Sequence, residues 1–231
     1  LIALSELAPK MQYDLSSLVS LMEPHIKINP DSRVHEEFEK MKHEFQQSGK
    51  KHFTQTDVLS RCAILDISVR SAQALVDMKQ KGITTKDVIT DEAIHNAMVV
   101  HAAFGGSSNL LLHIAAIAHE AGLKVPTRED WERVNRETPR LVDVLPNNPK
   151  YKTAHAYMAG GVPEVMLHLR ELGLLKLDAM TVSGKTLNEN LDEWAKSERR
   201  VNLRQSFIEQ EPGLNIDEII CTPEKAAEVG L

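Results

Sequence analysis

Only two cysteines, Cys62 and Cys221, occur in the 231 residues. They stand far apart, and neither belongs to a CxxC pair or a Cys/His cluster. A disulfide framework, a structural zinc and a self-contained iron-sulfur centre therefore lack donors, since such centres take three or four thiolates or imidazoles. Both read as reduced thiols. An excess of basic charge is also missing. With 33 acidic against 27 basic side chains and a pI near 5.9, the chain has no general attraction for a phosphate backbone or an anionic membrane. No nucleic-acid partner is expected.

Long apolar runs are lacking too. LLLHIAAIA falls far short of the roughly 20 residues that cross a bilayer, and the first residues show no charged-then-apolar leader pattern. The expectation is a cytoplasmic chain without a membrane partner. GxSxG, HExxH, a Walker loop and GxGxxG are all absent, so the common hydrolase, protease and nucleotide-binding readings have no support. There is no internal repeat and no low-complexity run.

What is present is ordinary globular composition, 42% hydrophobic, 26% charged and 4% aromatic. A chain of this length buries about 70% of its unfolded surface, so it needs no metal or disulfide to fold. Residues 1–57 read as a charged helical segment, with EEFEKMKHEFQQSGKKH as a solvated face. From Val58 to Lys81 apolar positions recur at helical spacing and Gly82 follows as a stop. Thr90-Asp91-Glu92 opens a helix through AIHNAMVVHAAF. LLLHIAAIAHEAG is apolar nearly all round, which predicts a helix buried on more than one face and ended by Gly122.

Thr127 with Asp130, and Thr186 with Glu189, have the spacing of capping boxes. Pro139, Pro146 and Pro149 mark a loop between them. AGGVPEVMLHLRELGLL predicts another helix, with Pro163 near its first position and Gly173 past its end. Ala179 to Val182 is a short strand candidate, and the tail EPGLNIDEIICTPEKAAEVGL reads as linker and edge. The paired carboxylates Asp91-Glu92 and Glu129-Asp130 sit at helix starts, where capping and the helix dipole account for them.

One junction carries a chemical question. In HAAFGGSSNLLLH, Gly105 and Gly106 permit a left-handed turn or a close approach, while Ser107, Ser108 and Asn109 are good N-cap residues. Amides gathered at a helix start favour a carboxylate or phosphate, and the serine hydroxyls add donors. The same residues also suit a tight turn with a cap, and the spacing leaves both readings open. His101 and His113 flank the junction as candidate proton carriers, against the alternative of satisfied core histidines. His119, His155 and His168 read as structural. Gly160-Gly161 lacks hydroxyl donors and reads as tight packing.

NAMVVHAAFGGSSNLLLHIAAIAHEAGL, TPRLVDVLPNNPKY, AGGVPEVMLHLRELGLL and DAMTVSGKTLNENL, in that order, resemble the hallmark segments of the dihydroxy-acid and sugar-acid dehydratase family, nearest its xylonate dehydratase branch. The resemblance covers about residues 58–231. It implies a mostly α chain, the later, helix-rich part of a three-layer α/β N-terminal dehydratase domain with few short strands. On this basis residues 58–212 belong to that domain and 213–231 link toward a C-terminal β-barrel domain. Residues 1–57 match none of the family's hallmark segments, and their affiliation is unknown.

The implied activity is removal of water from a 2,3-dihydroxy carboxylate, giving a 2-keto-3-deoxy acid, in a homo-oligomer (dimer or tetramer). The family works with an iron-sulfur cluster and magnesium. Its cluster cysteines and magnesium-binding lysine belong to segments ahead of the matched region, and its serine base to the β-barrel domain. This chain by itself is thus expected to bind neither cofactor, to hold no metal, to contain no assignable catalytic residue and to be incomplete for turnover. Gly105, Gly106, Ser107, Ser108, Asn109 and His113 are the expected contacts to a small sugar acid. The alternative is a truncated, non-catalytic relative that serves as an oligomerisation or anion-binding helical module.

Overall fold

Threonine side chains start several helices. The oxygens of Thr90, Thr127, Thr186 and Thr222 each accept a hydrogen bond from the backbone N–H three residues on. This satisfies one of the amides a helix start leaves without a partner. At Thr127 and Thr186 the third residue, Asp130 or Glu189, reaches back to the cap amide, completing the two capping boxes.

The computed structural model describes residues 64–144 and 148–231, with Gln12–Tyr13, Phe53–Thr54 and scattered positions between 36 and 47. The helices are α1 (Ile64–Gln80), α2 (Thr85–Val88), α3 (Asp91–Phe104), α4 (Asn109–Glu120), α5 (Arg128–Glu137), α6 (Thr153–Met158), α7 (Gly161–Glu171), α8 (Leu187–Lys196), α9 (Glu198–Gln210) and α10 (Pro223–Val229), with a 3-10 turn at Ile216–Glu218. Strand content among the described residues is slight. β1 (Gln12–Tyr13) pairs antiparallel with β2 (Phe53–Thr54), and single bridges join Val142 to Ile220 and Met180 to Thr186. This is the helix-rich, strand-poor architecture expected of part of a dehydratase N-terminal domain.

The chain forms two compact units, residues 1–77 and 78–231. In the first, the described positions between 36 and 47 are helical and exposed. At Gln12–Tyr13 and Phe53–Thr54 the segment read as helical is instead strand, and the rest of 1–57 lies outside the described residues, as does Cys62.

In the second unit α3 is the central helix and packs against α4, α5 and α7. Its Met98, Val99 and Ala103 are buried together with Val134 of α5, Val165 and Leu169 of α7, Leu191 of α8 and Phe207 of α9. Asn96 of α3 holds the segment after α7: its amide donates to Lys176 O at 2.9 Å and its carbonyl accepts from Lys176 N at 2.7 Å. A single side chain thereby satisfies both backbone groups of Lys176 in the irregular segment after α7.

In the second unit a helix and the tail differ from expectation. The helix read as buried on more than one face, α4, buries only Ile114 and Ala118, one i, i+4 stripe against α3. Leu110, Leu112 and Ile117 are 41%, 73% and 47% exposed. Apolar composition marks every face as able to be buried, while packing within this unit uses just one.

The tail, expected as a linker over 213–231, is instead part of the core of the second unit. Ile216, Ile219, Ile220, Cys221 and Ala226 are buried, and Cys221 N donates to Leu141 O at 2.8 Å while Asp143 N donates to Ile219 O at 3.1 Å. The apolar run IDEIIC finds a backbone partner in the segment 141–143, which has no other strand beside it among the described residues.

Candidate functional site

Helix α3 ends in a Schellman closure. Gly105 takes the left-handed conformation at φ 60° and ψ 48°, where a Cβ would be strained. Its amide donates to Ala102 O, and the Gly106 amide donates to His101 O, both at 3.0 Å. These two amides, expected to point at a ligand, are therefore engaged within the bend.

Gly106 is required for another reason. A Cβ there would lie 2.4 Å from Cδ2 of the His101 ring, far inside van der Waals contact. His101 is buried and its Nε2 lies 3.0 Å from Ser107 O. Because a carbonyl only accepts, Nε2 carries the proton. The ring meets Trp131 edge-on at 5.4 Å. Thus His101, a candidate proton carrier in the sequence, supports the bend from beneath and does not face solvent.

The following residues turn outward. Ser107, Ser108, Asn109 and His113 are all exposed. Ser108 is the N-cap position of α4 and forms no side-chain cap bond. The Ser107 hydroxyl accepts from Asn109 N at 3.3 Å. Leu110 N bonds Ser107 O and Leu111 N bonds Ser108 O, which tightens the first turn. Among the described residues, the Ser107 and Ser108 amides donate to no protein group. Asn109 and His113 are one turn apart on α4 and share a face.

A cation completes the surface. Arg140 packs on the bend, with its Nε 3.1 Å from the position a Gly105 Cβ would take. Its Nε donates to Val142 O at 3.2 Å and its NH2 lies 3.7 Å from Asp143 Oδ1, with the side chain 28% exposed. Leu141 N donates to Ala103 O at 2.8 Å, which ties this segment to the end of α3. Nothing in the local pattern singled out Arg140, because its place beside Gly105 comes from a contact 35 positions away.

His155, His119 and His168 fall as structural residues or on the surface. His155 is buried, accepts from Lys152 N through Nδ1 at 3.1 Å and meets the Phe207 ring edge-on at 5.9 Å. Burial and then the nearby Lys152 charge push its pKa down, against the opposing pull of Glu211. His119 is exposed and His168 half-buried. At the second glycine pair, a Cβ on Gly160 would come within 2.8 Å of Glu164 Cβ, consistent with tight packing.

Among the described residues the thiols needed for an iron-sulfur cluster are not assembled. Cys221 is buried, its thiol donates to Glu218 O at 3.5 Å, and burial, followed by the Asp143 and Glu218 carboxylates, pushes its pKa up. Among the described residues no three His, Cys, Asp or Glu side chains converge as ligands. None of the described helices is long and apolar enough to cross a membrane.

Comparison with known proteins decides the lineage. Residues 60–190, more than half of the chain and including the whole bend, match the dihydroxy-acid/6-phosphogluconate dehydratase N-terminal family. The chain belongs to that family. It is 59% identical over 167 residues to the D-xylonate dehydratase YjhG of Escherichia coli K12, covering 72% of this chain and 25% of the relative. The D-xylonate dehydratase YagF of the same organism is 59% identical over 168 residues, 72% of this chain and 26% of the relative. A dihydroxy-acid dehydratase of Mycobacterium sp. strain JLS is 47% identical over 122 residues, 53% of this chain and 21% of the relative. This dehydratase-family chain thus spans about a quarter of the length of the relatives it matches.

Proposed function

We propose that this chain is part of a sugar-acid dehydratase that eliminates water from a 2,3-dihydroxy carboxylate of the xylonate type, giving a 2-keto-3-deoxy acid. In this reading Gly105, Gly106, Ser107, Ser108, Asn109 and His113 form one edge of the substrate site, and Arg140 adds the charge. The observation that carries it is the pair of amides at Ser107 and Ser108 that no described protein group receives, in a bend whose Gly105 is packed by Arg140, inside the segment matching the dehydratase family.

The chemistry explains the requirement. A proton α to a carboxylate is weakly acidic, and donors that hold the carboxylate stabilise the negative charge as it spreads. Helix-start amides and a guanidinium suit that task. Loss of the C3 hydroxyl calls for a Lewis acid, which the family supplies with its cluster and magnesium. In this reading the part of the bend residues is to bind and orient the substrate. Assembly as a homo-oligomer belongs to the same proposal and is supported by the exposed apolar side chains of α4.

The test is formation of 2-keto acid from xylonate, gluconate and related acids by the full-length gene product supplied with iron and magnesium. Turnover on a pentonate or hexonate is expected. Silence across the panel with cluster loaded overturns the proposal. The exposed Leu110, Leu112 and Ile117 of α4 favour a second reading, a non-catalytic binding or oligomerisation module. Stoichiometric iron and acid-labile sulfide in protein purified without oxygen would eliminate it.

A further inference from the structure

We infer that His101 is a positioning residue of the bend: by holding the Ser107 carbonyl inward, its imidazole aims the Ser108 amide at the ligand. This rests on the reading of the bend as a carboxylate site. The geometry is that of a single peptide plane. In a trans peptide the C=O of one residue and the N–H of the next point in opposite directions. Ser107 O accepts from His101 Nε2 at 3.0 Å and from Leu110 N at 3.0 Å. With that oxygen fixed by two donors, the Ser108 N–H must face the other way, where no described protein group receives it.

The way His101 is held argues for a role beyond packing. It is buried, 8% exposed, yet its second ring nitrogen, Nδ1, has no partner among the described residues. A buried imidazole with an unmet nitrogen is costly, and an apolar ring of similar shape would meet Trp131 as well at 5.4 Å without that cost. What an apolar residue cannot supply is the Nε2–H that grips Ser107 O. Gly106 belongs to the same device, since it leaves the 2.4 Å approach to the ring clear of a side chain.

The experiment uses the full chain and D-xylonate as probe, with affinity read by calorimetry and the Ser108 amide read by nitrogen-15 NMR. His101→Phe and the smaller His101→Leu delete the donor, His101→Gln retains an N–H at nearly the same reach, and Ser108→Pro removes the amide itself. Proline suits that position, because Ser108 has φ −56°. Expected are about ten-fold weaker binding and a shifted Ser108 resonance in the Phe and Leu variants, the size of one lost hydrogen bond to a charged group. Gln should restore most of both, and Pro should weaken binding at least as much.

If Phe and Leu leave affinity and the Ser108 resonance unchanged while Pro weakens binding, the positioning role is overturned and the bend still binds. If Pro binds as the wild type does, or the wild type does not bind, the reading of the bend itself fails. If Phe is too large for the space over Gly106, Leu decides.

Discussion

Arg200 grips Glu164 from two directions: its Nε donates to Oε2 at 2.7 Å and its NH2 to Oε1 at 2.6 Å. The carboxylate is only 4% exposed and Arg204 stands 3.6 Å away. Trp194 Nε1 donates to the same carboxylate at 3.2 Å. Burial pushes the Glu164 pKa up, but the Arg200 hydrogen bonds and charge, with help from Trp194 and Arg204, outweigh it and hold it below the usual range. This pair links α7 to α9 across 36 positions. Removing one partner of a buried, hydrogen-bonded pair costs about 3–5 kcal/mol. Glu164→Ala is therefore expected to lower the thermal midpoint by roughly 10 °C. An unchanged midpoint would show that the pair contributes nothing.

The two glycines of the bend should respond for different reasons. Gly105→Ala forces a Cβ into a left-handed conformation at φ 60°, a cost of about 1–2 kcal/mol. Gly106→Ala brings a Cβ to 2.4 Å from the His101 ring, so the ring or the bend must move, at about 1–3 kcal/mol. Urea unfolding measures both. Gly106→Ala should also disturb the His101 ring resonances in NMR, whereas Gly105→Ala should leave them near their original places.

Asn96 offers a test of long-range order. It is buried and joined at both ends to the Lys176 backbone. Asn96→Leu would leave a backbone N–H and C=O without partners, at about 2 kcal/mol. Faster amide exchange at Lys176 is expected in that variant. Exchange as slow as in the wild type would show that another group holds the segment.

Acid should weaken the second unit in a defined window. Glu218 has its pKa pulled from 4.5 to about 2 by hydrogen bonds from Lys150 and Tyr151. The Thr127 amide, followed by Lys124, pulls Asp130 from 3.8 to about 2. In both cases the unfolded chain binds the proton more readily, so stability rises with pH across this range. Their contribution is present above about pH 4.5 and is lost as pH falls toward 2. Unfolding midpoints at about pH 5 and about pH 3 check this: the wild type should lose more between them than Glu218→Gln, which no longer titrates there.

Much of the local architecture was legible from the residues alone. Thr127 with Asp130 and Thr186 with Glu189 cap the helices their spacing predicts, because a cap is made within three residues and needs nothing distant. Gly122 and Gly173 stop helices for the same reason. The lineage, too, could be read from the order of four segments.

Tertiary structure alone decided the rest. Periodicity tells which faces of α4 are apolar but not how many are covered, and only the stripe with Ile114 and Ala118 is. The tail looked like a linker because its IDEIIC run is short, and its burial depends on pairing with residues 141–143. Arg140 beside Gly105, Arg200 on Glu164 and the ring of His101 under Ser107 are side-chain meetings set by how helices cross. Local sequence specifies where the backbone turns. Which polar atoms then face one another depends on the packing of elements that are remote along the chain.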